Sequence, residues 1–229
     1  MKAVTNFILF CYYYTMKPYL LLLLLLIFTV TGDAQPSFRS AASMPENVNL
    51  RRILEKPEVI NTRVERIDEG SNTWISMEVD IHACTAIPLE RMKEVITDYS
   101  RYTQIYRRTT VSRIAGRNER GTLAFFEVSV GALGIYVVSS FTLLKEINID
   151  TPDSFYLTFT HVSDDGTIRN ILGSWYLRKV EIDGRTYTYM RYFSSQDSLQ
   201  VAILQRQAAS MFIGSEYTGM LRETLAAAR

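Results

Sequence analysis

Cysteine and histidine are scarce in this sequence, which excludes several kinds of chemistry. The 229 residues include two cysteines and two histidines. Cys11 lies in an apolar N-terminal stretch, so only Cys84 remains in the rest of the chain, and a single cysteine cannot form an intrachain disulfide. The sequence contains no His-x-x-x-His or Cys-x-x-Cys pair, so it predicts no metal site, and it predicts no cofactor.

A surplus of charge of either sign is also lacking. The chain has 25 basic and 24 acidic side chains, mixed in sign along its length. Nucleic-acid binding requires a concentration of Lys and Arg, so no nucleic-acid partner is predicted. A Gly-x-Ser-x-Gly elbow is absent, and the glycine pair Gly131 and Gly134 lacks the lysine and the helix of a phosphate loop. The sequence therefore assigns no catalytic residue.

The longest hydrophobic run lies at the N-terminus. Seven consecutive leucines, Leu20–Leu26, follow Lys17 and precede small residues that end at Ala34. This pattern predicts a signal peptide over residues 1–34, cleaved after Ala34, with Met16 as an alternative start. The mature protein would then be exported, to the periplasm or the medium. The alternative is an N-terminal membrane anchor, because the apolar residues upstream would lengthen the run.

The rest of the chain is predicted to be a linker, 35–45, and one domain, 46–229. A short helix is expected over Asn47–Lys56, a second after Ile87-Pro88, and a long terminal helix from Leu199 to about Ala227. Alternating apolar and polar residues, separated by short links, predict antiparallel strands. These strands are expected at 59–67, 73–84, 109–115, 122–130, 135–147, 154–162, 167–182 and 185–193.

Three motifs in this order carry a resemblance. They are Thr97-Asp98-Tyr99-Ser100-Arg101-Tyr102, Gly173-Ser174-Trp175-Tyr176-Leu177 and Asp183-Gly184-Arg185-Thr186-Tyr187-Thr188-Tyr189, and the terminal helix follows them. Together they resemble the START-like (SRPBCC) superfamily, which includes Bet v 1-like proteins, polyketide cyclases and dehydrases, lipid transport proteins and coenzyme Q-binding proteins. The resemblance implies an α+β helix-grip fold, in which a curved antiparallel sheet wraps around the C-terminal helix and encloses a cavity for a hydrophobic molecule.

Aromatic residues supply most of the candidate cavity wall. Phe159, Trp175, Tyr189, Tyr192 and Phe212 come from strands and a helix that are expected to face each other. Ligand cavities are mainly apolar with a few polar groups, which favours this interpretation. The alternative is a filled core, because a domain of this size needs large apolar residues to fold.

Two polar residues are further candidates for the cavity. His161 shares a strand face with Phe159, and Glu127 lies in phase with Phe125. The alternatives are a histidine bonded within the core or at the rim, and a solvated Glu127 with Phe126 facing inward. Arg169 and Arg191 would pair with Glu127 or hold a ligand head group, or else form surface ion pairs, and His82 is expected on a solvent-facing strand surface.

Three functional hypotheses follow. The first is an exported carrier of a hydrophobic small molecule, such as a lipid, quinone or polyketide, that makes transient contact with membranes and is admitted near the terminal helix and Gly131–Gly134. The second is a cyclase or dehydrase that uses Glu127 or His161 as acid or base. The third is an interaction protein whose terminal helix presents a second apolar face to a partner, formed by Ile203, Ile213, Tyr217 and Met220.

Overall fold

A computed structural model describes residues 41–132, 135–199 and 206–229, without the side chains of 130–137 and 206–212. The predicted signal peptide over 1–34 and its cleavage site lie outside these residues. The last residues of the predicted linker are described, and among them Ala41 is buried.

Eight strands of the described residues form one antiparallel sheet in the spatial order β1-β2-β8-β7-β6-β5-β4-β3. The chain joins β1 to β2 and runs through β3 to β8 as a meander, so that the last strand pairs with β2. Asp183 and Gly184 turn the β7–β8 hairpin with φ values of 51° and 70°, the left-handed conformation that tight hairpin turns require. The strands are β1 (Glu58–Glu69), β2 (Asn72–Thr85), β3 (Thr109–Arg117), β4 (Thr122–Ala132), β5 (Ile135–Asp150), β6 (Ser154–Asp164), β7 (Ile168–Ile182) and β8 (Arg185–Leu199).

The helices lie on one side of this sheet. Helix α1 (Leu89–Thr97) begins after Pro88, and a 3₁₀ helix (Tyr99–Arg101) and the short α2 (Tyr102–Ile105) follow it. Helix α3 (Arg206–Ala228) packs against β1, β2 and α1. Within the described residues, no helix combines the length and hydropathy needed to cross a bilayer. The predicted helix-grip fold is thus confirmed, with a curved antiparallel sheet around a C-terminal helix.

Both faces of the central strands are covered. The inner face packs against the helices, with Leu157, Leu177 and Met190 fully buried there. On the outer face, Tyr156, Tyr176 and Tyr189 form a second cluster with Ile53 and Cys84. The segment 41–57 lies over this outer cluster. It explains why β2, β7 and β8 carry long runs of buried residues instead of simple alternation.

The structure corrects two predictions for the segment before β1 and its surroundings. Asn47–Lys56 forms turns rather than a helix, because Leu54 makes a parallel bridge to Cys84 and Glu55 adopts a φ of 55°. His82 is buried, with 7% of its surface exposed, since the outer face of β2 is covered instead of solvated. Burial lowers the pKa of its imidazole.

The start of the terminal helix was also predicted wrongly. Leu199 is the last residue of β8, and its N–H donates to the carbonyl of Thr167 at 2.8 Å. The polar run Ser194–Ser198 therefore continues the strand, and the described part of the helix begins at Arg206. Buried and exposed side chains alternate only weakly in this run, so the sequence pattern did not indicate that the strand continues to Leu199.

Candidate ligand-binding cavity

A cavity of about 370 Å³ lies between the sheet and α3 and opens to the protein surface. Residues from β4 to β8, from α3 and from the segment after α2 line it, and its volume lies in the range typical of small-molecule sites. A second hollow, of about 410 Å³, lies along α1 and α2. Arg91, Glu94, Asp98 and Arg101 give that hollow a charged, open lining, so the cavity beside α3 is the better candidate for an apolar ligand.

The cavity wall is mainly aromatic. The ring centroids of Trp175 and Tyr192 lie 4.7 Å apart, and Phe159 stacks on Tyr192 at 6.0 Å. Gly173 permits this arrangement, because a Cβ atom at that position would lie 2.2 Å from Cζ of Phe159. Because Gly173 has no side chain, β7 leaves the space that the Phe159 ring occupies.

Buried tyrosines place hydroxyl groups in this apolar setting. Burial raises the pKa of Tyr102 and Tyr192 well above the ordinary value, and it raises the pKa of Tyr106 to about 12. These phenols therefore stay neutral at physiological pH and act as hydrogen-bonding groups. The Tyr106 hydroxyl lies 3.1 Å from the Thr224 hydroxyl on α3, so it links the helix to the segment after α2.

A group of charged residues forms one rim of the cavity. The Arg108 guanidinium donates two hydrogen bonds of 3.1 Å to the Glu216 carboxylate, and Arg107 donates a third of 3.2 Å. Arg107 also lies 3.5 Å from Glu223. The Arg107 side chain is 61% exposed, so this rim reaches the protein surface. We refer to these four residues, Arg107, Arg108, Glu216 and Glu223, as the rim cluster.

Lys145 is the cationic side chain of the cavity wall that lies among aromatic rings. It sits on β5 in phase with Phe141 and Leu143, which also line the cavity. Only 6% of Lys145 is exposed, and burial lowers the pKa of its amine to about 7. Its Nζ lies 4.2 Å from the ring centroid of Phe159 and 5.4 Å from that of Phe126.

Three of the candidate cavity residues come together at the cavity. Phe159, Trp175 and Tyr192 line it on β6, β7 and β8. Tyr189 lies on the opposite face of β8 in the outer cluster, because a spacing of three residues reverses the side-chain direction in a strand. The side chain of Phe212 lies outside the described part of the structure.

Glu127 and His161 lie away from the cavity. Glu127 is on the reverse side of β4 from the lining residues Phe126 and Val128, and its carboxylate accepts a hydrogen bond of 2.7 Å from the Thr110 hydroxyl. His161 is near the end of β6, where its Nε2 lies 2.6 Å from the Asp164 carboxylate. The cyclase or dehydrase hypothesis assigned acid–base roles to these two residues, and neither of them lines the cavity.

The two arginines considered as ligand anchors are paired elsewhere. Arg191 forms a buried ion pair with Asp80 and also donates to the carbonyl of Ser43 at 2.8 Å. Arg169 contacts Glu69 and Asp197, and its guanidinium lies 4.0 Å from the ring centroid of Trp74.

The face of α3 that was proposed for a partner faces the cavity instead. Ile213, Tyr217 and Met220 all line it. Ile203, the fourth residue of that face, lies outside the described residues, as do residues 133 and 134 of the predicted mouth. The helix turns this face inward because Leu221 and Leu225, at the next helical positions, pack into the core beside it.

Lys145 and the rim cluster were not predicted from the sequence. Lys145 could have been found, because it lies two residues after Leu143 and four after Phe141 and so shares their inward strand face, where a charged residue is unexpected. The rim cluster left none, since Arg107 and Glu216 are 109 residues apart in sequence. Among the described residues, no three potential metal ligands lie together.

A curved antiparallel sheet that grips a C-terminal helix over a cavity is the helix-grip architecture, and the chain has the fold of START-like proteins. It is similar to a STAR-related lipid transfer protein from Xanthomonas axonopodis, with a TM-score of 0.52 and 10% identity over 72% of this chain and 98% of the other. It is also similar to the lipid transfer and protein localization domain of human StarD13, with a TM-score of 0.51 and 7% identity over 73% and 89% of the two chains. No protein-family model and no curated protein matches it by sequence.

Proposed function

We propose that this protein binds a hydrophobic small molecule, such as a lipid, quinone or polyketide, in the cavity between the sheet and α3. The observation that carries the proposal is a cavity of about 370 Å³ with a mainly aromatic and aliphatic wall. Each CH₂ group that a ligand buries there contributes about 0.8 kcal/mol, so apolar contact alone would give useful affinity. The two similar structures are described as lipid transfer proteins, and the shared fold supports this reading of the cavity.

A cavity-filling substitution tests where the ligand binds. Met220 lies on α3 and lines the cavity, so Met220→Trp should occupy ligand space. We expect the wild-type protein to bind the neutral dye Nile red with increased fluorescence, and Met220→Trp to reduce its affinity by about tenfold or more, equivalent to about 1.4 kcal/mol. Val162→Trp is the matched control, because Val162 is 50% exposed and does not line the cavity.

Two results would overturn this proposal. One is Nile red affinity that is equal in Met220→Trp and Val162→Trp while both proteins melt as the wild type does. The other is wild-type protein that binds neither Nile red nor any lipid. Organic extraction of natively purified protein, followed by mass spectrometry, would identify a ligand acquired in the cell.

We also propose that the protein carries its ligand between membranes by transient contact with them. An apolar ligand has low solubility in water, so loading from a bilayer avoids a free aqueous intermediate. Transfer of a fluorescent lipid from donor to acceptor vesicles should therefore be faster with the protein present. If the lipid moves no faster with the protein than between vesicles alone, the protein binds its ligand but does not transfer it.

Export is a further part of this proposal. The leucine run and the small residues up to Ala34 support cleavage and release, with a retained N-terminal anchor as the alternative. The check is N-terminal sequencing and fractionation of the native protein. A mature N-terminus at Gln35 in the periplasm or medium is expected, and intact chain in the membrane fraction would favour the anchor.

A further inference from the structure

Lys145 is a buried amine that no carboxylate of the described residues pairs with. Among the described residues it has neither an ion-pair partner nor a hydrogen-bond partner, although 94% of its surface is buried. Its near neighbours are the rings of Phe159, Phe126 and Tyr99, at 4.2, 5.4 and 5.7 Å from Nζ. Aromatic faces attract a cation, but they do not neutralise its charge. Burial of an unpaired amine is costly, so such groups in proteins are usually paired or functional.

The other charged groups of the cavity are already engaged. The carboxylates of Glu216 and Glu223 pair with Arg107 and Arg108 at the rim, and neither forms an ion pair with Lys145. The remaining titratable groups around the cavity are phenols, which burial keeps neutral. These are Tyr99, Tyr102, Tyr106, Tyr192 and Tyr217. An anion that entered the cavity would therefore find Lys145 without a carboxylate partner among the described residues, whereas Arg107 and Arg108 are already paired.

We propose that Lys145 is an anchor for the acidic head of the ligand, and that the ligand is a monocarboxylic acid with an apolar body. This inference rests on the proposed binding function and narrows its ligand class. One ammonium group balances one carboxylate, and the surrounding apolar wall accommodates the hydrocarbon part. A phosphate would bring up to two negative charges to a wall whose one unpaired ammonium group, among the described residues, balances a single charge.

The proposed anchor predicts a dependence of affinity on pH. In the empty cavity the pKa of Lys145 is about 7, and a bound carboxylate would raise it. Binding then favours the protonated amine, so the affinity for the acid should fall by up to about tenfold per pH unit as the pH rises above about 7. A neutral ligand of the same length should show no such fall.

The test compares dodecanoic acid, dodecanol and dodecyl phosphate as competitors of Nile red. At about pH 7 we expect the wild type to bind the acid at least about tenfold more tightly than the alcohol, and more tightly than the phosphate. Lys145→Met should abolish this preference, so that the acid and the alcohol compete with equal affinity. Lys145→Arg should keep the preference but lose the fall in affinity between about pH 7 and about pH 9, because a guanidinium stays charged.

The outcomes separate the two proposals. Equal affinity of the wild type for acid and alcohol, preferred binding of the phosphate, or an unchanged preference in Lys145→Met would each overturn the carboxylate anchor while leaving the binding function intact. If the wild type binds neither Nile red nor any of the three competitors, the binding function itself is overturned. If Lys145→Arg does not fold, the ratio of the wild-type affinities for the acid and the alcohol, and the change of this ratio with pH, still test the carboxylate anchor.

Discussion

At the residue scale, the buried amine of Lys145 lowers the stability of the folded protein at the position where we propose that it anchors the ligand. It occupies an inward position of β5 that a methionine would fill without charge. The polar group at this position works against the apolar wall built by its neighbours Phe141 and Leu143. Conflicts of this kind between local environment and residue type are expected at functional sites.

Lys145→Met should stabilise the empty protein. Burial lowers the pKa of the amine from 10.5 to about 7, which corresponds to a cost on the order of 4 kcal/mol near pH 7. From about pH 7 to about pH 9 the unfolded chain binds more protons than the folded one, so wild-type stability should rise with pH. The advantage of Lys145→Met should shrink over this range by roughly 1.4 kcal/mol per pH unit.

Urea unfolding of both proteins at several pH values measures this difference. Lys179→Met is the matched control, because Lys179 is 40% exposed and lies 3.3 Å from Asp153 at the surface. Removing such a surface pair should change stability by less than about 1 kcal/mol. A destabilised Lys145→Met, or a constant difference across the pH range, would contradict the assigned environment of the amine.

At the scale of elements, the rim cluster joins α3 to the segment between α2 and β3. Glu216 on the helix accepts hydrogen bonds from both Arg107 and Arg108. These contacts and the Tyr106–Thr224 hydrogen bond connect the helix to the rest of the cavity wall. Opening at this rim would separate the two elements and expose the cavity.

Glu216→Ala should accelerate ligand release. It removes the carboxylate that both arginines share, and partly exposed ion pairs of this kind contribute about 0.2–1 kcal/mol. We therefore expect the dissociation rate of Nile red to increase by roughly twofold to fivefold in stopped-flow measurements. Added salt should accelerate release from the wild type more than from the variant, because it screens the pair.

The control for this change is Glu94→Ala on α1. Glu94 pairs with Arg91 at 2.6 Å, its side chain is 63% exposed, and it is not among the residues that line the cavity. Glu94→Ala should release Nile red at the same rate as the wild type. If the two variants release the dye equally fast, the rim cluster does not control release.

At the scale of the whole molecule, the central strands of the sheet are covered on both faces, and the reactivity of Cys84 reports whether the outer covering is intact. Cys84 is fully buried in the outer cluster under segment 41–57, and burial raises the pKa of its thiol to about 11. Both effects suppress the thiolate that thiol reagents attack.

Cys84 should react with Ellman's reagent only when the protein unfolds. In full-length protein carrying Cys11→Ser, which leaves Cys84 as the sole thiol, labelling across a urea titration should follow the loss of far-ultraviolet circular dichroism. Labelling that precedes this transition would show that segment 41–57 detaches while the sheet is still folded.

Much of the architecture could be predicted from local sequence. Alternation and turn residues located the strands, and the Asp183-Gly184 turn adopts the positive φ values that such a pair favours. Local patterns failed where long-range contacts decide. The segment at Leu54 joins β2 by a bridge, and β8 extends to Leu199 through its pairing with β2 and with Thr167.

The sequence by itself determined the antiparallel meander, the closing helix and the supply of aromatic residues, because these depend on periodicity and composition within a few residues. Only the tertiary structure decided which side chains meet. It placed Phe159, Trp175 and Tyr192 on the cavity wall and Tyr189 in the outer cluster, and it gave Lys145 no carboxylate partner within the described part of the chain. The physical reason is that burial and charge pairing depend on what lies across the fold, and strand alternation fixes only which face a residue takes.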